Sequence, residues 1–465
     1  MASIRFLGAA GTVTGSRYLV RTEAGASVLV DAGLFQGAKE VRQRNWEPFP
    51  VPPASLSAVV LTHAHVDHTG ALPLLAREGL RAQVWCTPAT RDLAQLMLPD
   101  SARLQEEEAR YANRRGYSRH APGARPLYAE ADALAALRLL RPLPYAARKQ
   151  VAPGVAVTFG RAGHILGSAT VLLEVAEPGR PPLRLLFSGD LGRYGVPILP
   201  DPEAPPAADE VLVESTYGNR LHQGSPRGEL RDELRAAVAR RGPVVVPAFA
   251  IGRTQELLFE IRALEEAGEI PELPVFVDSP MALDATPIYL AHREDHDDEM
   301  TRLVTSGAEP LRPARLTFAR SAEQSRAINA VRGPCVIISA SGMATGGRIL
   351  HHLAHRLPDP TCTVLLVGFQ AAGTRGARLQ AGEPEVRIHG ELVPVRARVV
   401  ALSGFSAHAD HAEVSRWLAA LPRRPGRLFC VHGEPAALGA QAERLRAAGW
   451  NAVIPSHLEE FALGG

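Results

Sequence analysis

Short apolar runs rich in β-branched residues recur along most of the chain and alternate with stretches of helical periodicity. The runs predict strands, and the stretches between them predict helices such as those over 228–240 and 254–265. This alternation indicates a layered α/β architecture. The predicted strands are residues 4–7, 27–30, 58–61, 84–87, 155–159, 169–175, 183–187, 211–213, 244–248, 275–277, 335–339, 363–367, 399–402 and 428–431.

Two breaks in this pattern divide the chain. The proline-rich stretch 199–209 suits neither a helix nor a central strand, and we interpret it as a linker. A second break lies at 380–395. We therefore predict three segments, 1–207, 208–391 and 392–465.

Composition narrows the function classes only slightly. The 465 residues carry 51 Lys+Arg against 49 Asp+Glu, a net charge of +2 that excludes a polybasic tail as the main binding device. No apolar run approaches the ~18 residues of a membrane span, and the first 20 residues lack a signal-peptide pattern. The four dispersed cysteines predict buried thiols rather than disulfides. We expect a soluble, cytoplasmic protein without a membrane partner.

The most informative segment reads His63-Ala-His65-Val-Asp67-His68 and directly follows the apolar run 58–61. Core packing does not explain four ligand-capable side chains in six residues at the end of a strand. Neutral imidazoles with a carboxylate suit zinc, and a tight loop lets nearby residues face two adjacent ions. The alternative is that these side chains cap a helix predicted over 69–77.

A dinuclear centre needs further ligands, and three candidates lie where predicted strands end. They are His164 in GHILG, Asp190 in SGDLG and His432 in CVHGE. Each alone would more often be a turn or capping residue, but the motif at 63–68 favours ligands. Asp31, after the run 27–30, is better placed to hydrogen-bond an imidazole than to bind metal.

With these segments the sequence resembles the metallo-β-lactamase superfamily. Its later part resembles the β-CASP branch of nucleic-acid-processing nucleases, which includes the cleavage-and-polyadenylation endonuclease subunit and bacterial ribonuclease J. The narrower likeness rests on Glu214 in VLVESTYGNR, His408 in SGFSAHADH and His432 in VHGE. The chain is most similar to the short bacterial and archaeal type.

The resemblance implies an αββα metallo-β-lactamase sandwich, formed by 1–207 and 392–465, with an inserted α/β β-CASP domain at 208–391. It also implies two Zn²⁺ per chain, with Asp190 and a hydroxide bridging them. The implied ligand sets are His63, His65 and His164 for one ion, and Asp67, His68 and His432 for the other.

The implied activity is hydrolysis of phosphodiester bonds in single-stranded RNA, leaving 5′-phosphate and 3′-hydroxyl ends. The expected catalytic residues are His408, Glu214, Asp190 and Asp67. His408 is the candidate general acid for the leaving 3′-oxygen, and Glu214 its orienting partner. His411 is a rival for the acid. Without the family, Glu214 and His408 are typical of a strand end and a helix N-terminus.

Three turns predict contacts with RNA phosphates through backbone N–H groups and side chains. The turn 339–348 is explained equally well as a tight structural turn, and no Gly-Lys-Ser/Thr closes it as a Walker loop. Five nearby histidines are interpreted as surface groups, namely His292, His296, His351, His352 and His355. The predicted phosphate contacts are Ser341, Gly342 and Arg348 in this turn, Arg253 in 249–256, and Ser403 and Ser406 in 403–406.

Three function classes are weighed. A ribonuclease is the favoured function. A hydrolase of a small ester, thioester, lactone or lactam is the second, but it would not need the segment 208–391. A non-catalytic RNA-binding subunit would leave the ligand residues free to drift. DNA stays open as a substrate because it shares the metal chemistry, and the choice between endonuclease and 5′→3′ exonuclease is open. Homodimers are common in the bacterial proteins that the chain resembles.

Overall fold

The computed structural model describes residues 1–116, 123–176, 179–222, 224–371 and 373–464, except the side chain of Ser403. The chain forms two compact units. The first unit comprises Met1–Gly195, Asp201–Leu221 and His408–Gly465, and the second comprises Val196–Pro200 and His222–Ala407. The boundaries predicted at 207/208 and 391/392 stay predictions.

The first unit contains two seven-stranded sheets. One has the strand order β22-β1-β2-β3-β4-β5-β6 and the other β21-β20-β11-β10-β9-β8-β7. Its strands are β1 (Ser3–Phe6), β2 (Tyr18–Arg21), β3 (Ser27–Val30), β4 (Ala58–Val60), β5 (Val84–Cys86), β6 (Leu140–Pro142), β7 (Lys149–Ala152), β8 (Val155–Arg161), β9 (Ala169–Val175), β10 (Leu183–Phe187), β11 (Glu210–Glu214), β20 (Arg427–Val431), β21 (Ala452–Val453) and β22 (Glu460–Ala462).

Helices cover the outer faces of both sheets. They are α1 (Lys39–Gln43), α2 (Val66–Thr69), α3 (Leu72–Arg77), α4 (Pro88–Arg115), α5 (Glu130–Leu137), α13 (His411–Ala419) and α14 (Pro435–Ala447). One core lies between the sheets, where Val30 and Val60 meet Val171 and Phe187. Two outer cores pack the sheets against α3–α5 and against α13–α14. The αββα sandwich is thereby confirmed.

The second unit is built on one six-stranded sheet in which every described pairing is parallel, in the order β14-β13-β15-β12-β16-β19. A hairpin, β17-β18, stands apart from it. The strands are β12 (Val244–Pro247), β13 (Pro274–Asp278), β14 (Arg315–Phe318), β15 (Val336–Ser339), β16 (Thr363–Val367), β17 (Glu385–Ile388), β18 (Glu391–Pro394) and β19 (Arg398–Leu402).

Helices pack on both faces of this sheet because alternate strand residues point to opposite sides. Val246 and Ile338 pack against α6–α8, while Val245 and Ile337 pack against α10–α12. The helices are α6 (Pro226–Arg240), α7 (Arg253–Glu266), α8 (Pro280–Ala291), α9 (Asp298–Thr305), α10 (Ala322–Ile328), α11 (Ile349–Arg356) and α12 (Arg375–Gln380).

The structure corrects one sequence prediction, for a helix, and agrees with another, for the cysteines. The helix predicted over 69–77 is wrong in its start, since α2 begins at Val66 and a break at 70–71 separates it from α3. The four cysteines are free and buried, as predicted. None of the helices described is long and apolar enough to cross a membrane.

Candidate metal centre

Strand ends of both sheets bring together side chains of the first unit that can bind metal. In the first sheet, β3 and β4 are parallel and lead into Asp31 and His63. In the second sheet, β11 pairs in parallel with β10 and with β20, so the segments holding Asp190 and His432 leave at the same edge. Parallel pairing therefore brings together residues far apart in sequence.

One cluster consists of three imidazoles and a carboxylate oxygen. His65 Nδ1 lies 3.1 Å from His63 Nε2 and 3.2 Å from His164 Nε2. Asp190 Oδ2 lies 3.6 Å from both Nε2 atoms. Because α2 starts directly after His65, the chain turns there and Asp67 and His68 follow on a helical turn.

A second cluster lies on the other oxygen of the same aspartate. His68 Nε2 is 3.2 Å from His432 Nε2, and Asp190 Oδ1 is 3.2 Å and 3.6 Å from these two atoms. Asp67 Oδ2 is 3.6 Å from His432 Nε2. Asp190 thus presents one carboxylate oxygen to each cluster.

The two clusters fit metal ions. Around a tetrahedral zinc with bonds of about 2.0–2.1 Å, neighbouring ligand atoms lie roughly 3.3 Å apart, close to the spacing in both clusters. Asp190 Oδ1 is buried and has no hydrogen-bond partner among the described residues. A buried carboxylate oxygen that faces two imidazole nitrogens without a hydrogen bond is suited to bind a cation. The first unit therefore contains a metal-binding His/Asp cluster.

The protonation states of His63, His65 and Asp67 suit ligation, which needs neutral imidazoles and ionised carboxylates. Burial would lower the pKa of His68, but the charges of Asp190 and Asp31 raise it well above its usual range, so a metal at this ring must displace a proton. Burial, helped by the charge of His68, holds the pKa of His63 well below its usual range, and burial lowers the pKa of His65 to about 4. Burial would raise the pKa of Asp67, but its hydrogen bond to His432 and the charge of His68 lower it to about 2.

Two of the imidazoles are oriented through their second nitrogen. His68 Nδ1 lies 2.7 Å from Asp31 Oδ2, and Thr62 donates to the same carboxylate through its N–H and its hydroxyl. Asp31 thus contacts the Nδ1 side of the His68 ring, whereas the Nε2 side faces the second cluster. The Thr216 hydroxyl lies 3.1 Å from His432 Nδ1 and donates to the His432 carbonyl, so the ring turns Nε2 toward the second cluster.

His408 and Glu214 lie directly beside the clusters. His408 Nδ1 is 3.1 Å and 3.2 Å from the two carboxylate oxygens of Glu214, and 3.8 Å from Asp190 Oδ2. Burial alone would lower the pKa of His408, but the charge and hydrogen bond of Glu214, with the charge of Asp190, raise it to about 9. The carboxylate of Glu214 is in turn held by the backbone N–H of Leu191 at 2.8 Å.

The backbone at the site is shaped for close contact. Gly33 lies against the Asp67 backbone so closely that a Cβ there would be 1.6 Å from the Asp67 carbonyl oxygen. Asp31 and His432 both have positive φ, at 58° and 52°. Such conformations cost a non-glycine residue free energy and concentrate at functional sites.

Comparisons with known proteins match three stretches of the chain. Residues 10–146 match the metallo-beta-lactamase superfamily, 254–379 the Beta-Casp domain, and 392–455 the Zn-dependent metallo-hydrolase RNA specificity domain. Ribonuclease TTHA0252 of Thermus thermophilus is 40% identical over 429 residues, which are 92% of each chain. The chain belongs to the β-CASP branch of the metallo-β-lactamase superfamily.

Other relatives of this β-CASP protein extend the comparison. Transcription termination factor FttA of Thermococcus kodakarensis is 32% identical over 93% of this chain, which spans 67% of that factor. An RNase J-like protein of Methanocaldococcus jannaschii is 29% identical over 93% of both chains. A crystal structure of a protein of unknown function from Enterococcus faecalis has the same fold, with a TM-score of 0.51 and 12% identity over 99% of this chain and 100% of that chain.

The predicted phosphate contacts of the β-CASP protein all lie in the second unit. Arg253 is only 5% exposed and is ion-paired with Glu256. Ser406 is buried, and Ser341 shares a hydrogen bond with Thr345. Contacts of these groups with RNA stay predictions, as they do for Gly342, Arg348 and Ser403.

Two of the five histidines interpreted as surface groups are buried, so that interpretation is wrong for them. His352 is 0% exposed and bonds Asp278 and Asn329, while His296 bonds the Tyr289 carbonyl. Sequence reasoning also missed Thr62 and Thr216, although one directly precedes His63 and the other follows Glu214 by two positions.

Proposed function

We propose that this β-CASP protein is a zinc-dependent ribonuclease that hydrolyses phosphodiester bonds in single-stranded RNA, leaving 5′-phosphate and 3′-hydroxyl ends. The observation that carries the proposal is the His408–Glu214 pair next to an aspartate shared by two ligand clusters. Ribonuclease TTHA0252, related over nearly its whole length, supports RNA as the substrate.

The two clusters are proposed to hold two zinc ions, with Asp190 between them. When bound, these ions would lower the pKa of a shared water and neutralise charge on the attacked phosphate. Against the effect of burial, interactions with His432 and His68 lower the pKa of Asp67 to about 2 and hold that of Asp190 well below its usual range, so both carboxylates are ionised at neutral pH.

His408 is proposed to protonate the leaving 3′-oxygen. Because Glu214 engages Nδ1, the proton for the leaving group comes from Nε2. Glu214 fixes the tautomer and stabilises the protonated ring, and its own position is fixed by the backbone N–H groups of Leu191 and Thr216. The His408 side chain is 19% exposed, so a substrate can reach it.

A small ester, thioester or lactone hydrolase is not favoured. A general acid held by a buried carboxylate is not needed for a thioester, because a thiolate leaves without protonation. The match of 392–455 to an RNA specificity domain also supports a nucleic-acid substrate.

The test uses the zinc-loaded protein and single-stranded RNA with a 5′-monophosphate, labelled in turn at each end. Release of mononucleotides from the 5′ end identifies an exonuclease, and internal fragments identify an endonuclease. His408→Ala should lower kcat by about 10²–10⁴-fold without loss of zinc. His411→Ala, a change of the same kind three residues away, should leave kcat unchanged.

A second substrate separates the acid from other roles of His408. In thymidine 5′-(p-nitrophenyl) phosphate the leaving nitrophenolate needs little protonation, so His408→Ala should lose far less activity on it than on RNA. Equal losses on both substrates would contradict the acid assignment. RNA left intact by a protein that holds zinc would refute the ribonuclease.

A further inference from the structure

A groove in the second unit lies between α10 and α11 and is unrelated in its residues to the metal centre. It has a volume of about 640 Å³, within the range of about 300–1,000 Å³ typical of ligand sites. It opens beside the loop that follows β15, at the carboxyl edge of a parallel sheet, where α/β folds bind ligands. Its polar lining is Ser325, Arg326, Asn329, Arg348, His351 and His355.

The lining contains hydrogen-bond donors and positive charge without a carboxylate among its described residues. Asp278, which contacts the lining residue Arg348 at 2.7 Å, is fully buried and also lies 2.7 Å from His352. Ser325 donates to the same carboxylate at 2.5 Å. The Asp278 carboxylate is therefore engaged by Arg348, His352 and Ser325 and is not exposed.

Arg348 is held rigidly but not fully used. Its Nη1 bonds Asp278 and the Ala319 carbonyl, and its Nη2 bonds the Arg320 carbonyl. A guanidinium has five N–H donors, so Nε–H and one Nη2–H have no partner among the residues that the structure describes. A preorganised guanidinium with two donors left is suited to an anion that accepts two parallel hydrogen bonds.

The two helices that form the groove are locked together. Buried Arg356 of α11 donates to the carbonyls of Ile328, Asn329 and Val331 at the end of α10. Asn329 Oδ1 lies 2.9 Å from His352 Nδ1, which leaves the Asn329 amide N–H₂ as a further donor. The groove is thus a fixed set of donors rather than a gap between mobile helices.

At its outer side the groove has a second cation and an aromatic surface. Arg326 is exposed and has no carboxylate within 4.0 Å among the described residues. Exposed His351 is stacked on His389, with ring centroids 4.5 Å apart. Guanidinium groups beside an aromatic plane in an open groove are typical of single-stranded nucleic-acid sites.

We propose that this groove binds phosphate groups of single-stranded RNA, with Arg348 as the fixed contact and Arg326 as the outer one. The choice of RNA rests on the proposed function, whereas the choice of phosphate rests on the donors. The occupant is either a phosphodiester of the chain or a terminal phosphate, since both present the same oxygens.

The test measures RNA binding as a function of salt. The probe is RNA in which methylene replaces each 3′-oxygen, so that the phosphate charge is kept and the bond cannot be cut. Arg326→Ala should weaken binding several-fold and reduce the slope of log K against log salt by about 0.7, the value for one phosphate contact on a single strand. Arg326→Glu should weaken binding further.

The matched control is Arg302 on α9, which is also exposed and in the same unit. Arg302→Ala and Arg302→Glu should leave affinity and slope unchanged. Probes with a 5′-phosphate and a 5′-hydroxyl separate the two sources: a loss limited to the first identifies a terminal phosphate, and an equal loss identifies the chain.

Equal effects of the Arg326 and Arg302 variants would overturn the inference while leaving the ribonuclease intact. A wild-type protein that does not bind the probe would refute both together. As an independent measurement, 4-thiouridine in the probe should cross-link to peptides of α10 or α11 in the unaltered zinc enzyme. Cross-links confined to other segments would also overturn the assignment.

Discussion

Two threonine hydroxyls decide how the ligand imidazoles are oriented. Thr62 Oγ1 lies 2.9 Å from Asp31 Oδ2 and 3.1 Å from His63 Nδ1. Thr216 Oγ1 orients the His432 ring in a similar way. It donates its proton to the His432 carbonyl, so the hydroxyl oxygen can accept the Nδ1–H of the ring. A ring held at Nδ1 presents an unprotonated Nε2 to the metal, which increases affinity.

Thr216→Val keeps the shape of the side chain and removes this hydroxyl. We expect zinc affinity at the second cluster to fall about 10–100-fold, because the His432 ring loses the partner that fixes its tautomer. Thr216→Ser, which restores a hydroxyl, should retain most of the affinity. Competition with a chromophoric chelator measures both, and equal affinities for the two variants would argue against an orienting role.

The sequence reveals the ligands more readily than the groups that orient them. His63 to His68 stand out because four ligands share six positions. Thr216 has no such signal, since its partner His432 lies 216 positions away and only the pairing of β11 with β20 brings them together. The same reason explains the error at His352 on α11, whose partner Asp278 lies 74 positions away at the end of β13.

Helix α7 contains a buried carboxyl group, Glu260, whose ionised form destabilises the folded protein. Glu260 is 7% exposed, its Oε2 has no hydrogen-bond partner among the described residues, and Arg227 is 3.6 Å away. Burial raises the pKa of Glu260 to about 7 against the attraction of Arg227, with Glu256 and Glu299 adding to the rise. The folded protein therefore holds this proton more tightly than the unfolded chain does.

Stability should consequently fall as pH rises from about 4.5 through 7, the interval in which only the folded state keeps the proton. Glu260→Gln removes the charge, so it should stabilise the protein by about 1–3 kcal/mol at pH 8 and have little effect at pH 5. Urea unfolding at the two pH values measures this.

The control for Glu260 lies on the same helix. Glu266→Gln makes the same chemical change at an exposed side chain paired with Arg262, and it should alter stability by less than about 0.5 kcal/mol. A Glu260→Gln variant that gains nothing at pH 8 relative to pH 5 would show that the carboxyl is ionised in the folded protein at little cost.

Strands can be predicted from the sequence where they are buried, because a buried strand consists of a continuous apolar run. The runs 27–30, 169–175 and 363–367 coincide with β3, β9 and β16, all of them largely or wholly buried. The sequence of the hairpin β17-β18 indicates a break because five of the eight strand residues are exposed and three of these are charged. The register of the hairpin is set by pairing across a tight turn, and a polar sequence does not indicate this pairing.

At the scale of the molecule, the metal centre depends on a discontinuous unit. Strand β20, whose end leads into His432, pairs with β11 although His222–Ala407 of the second unit intervenes in sequence. Periodicity and spacing do not predict such a return of the chain. The resemblance to a known family supplied that topology, and the parallel pairing of β11 and β20 provides its structural basis.

Because the ligands come from both ends of the chain, metal binding should stabilise the first unit selectively. A ligand present at 1,000 times its Kd adds about 4 kcal/mol to the folded state that binds it. Removing zinc with a chelator should therefore increase amide exchange where β4, β10, β11 and β20 meet the clusters. Exchange in β12, β13 and β15 of the second unit should not change.

Restoring the metal tests its identity in the same experiment. Zn²⁺ should return the lost protection, whereas Mg²⁺ should not, since five of the seven predicted metal ligands are imidazoles and Mg²⁺ prefers oxygen ligands. Protection lost equally in both units would show that the chelator unfolds the protein generally. Protection restored by Mg²⁺ alone would contradict a zinc centre built on His63, His65, His68, His164 and His432.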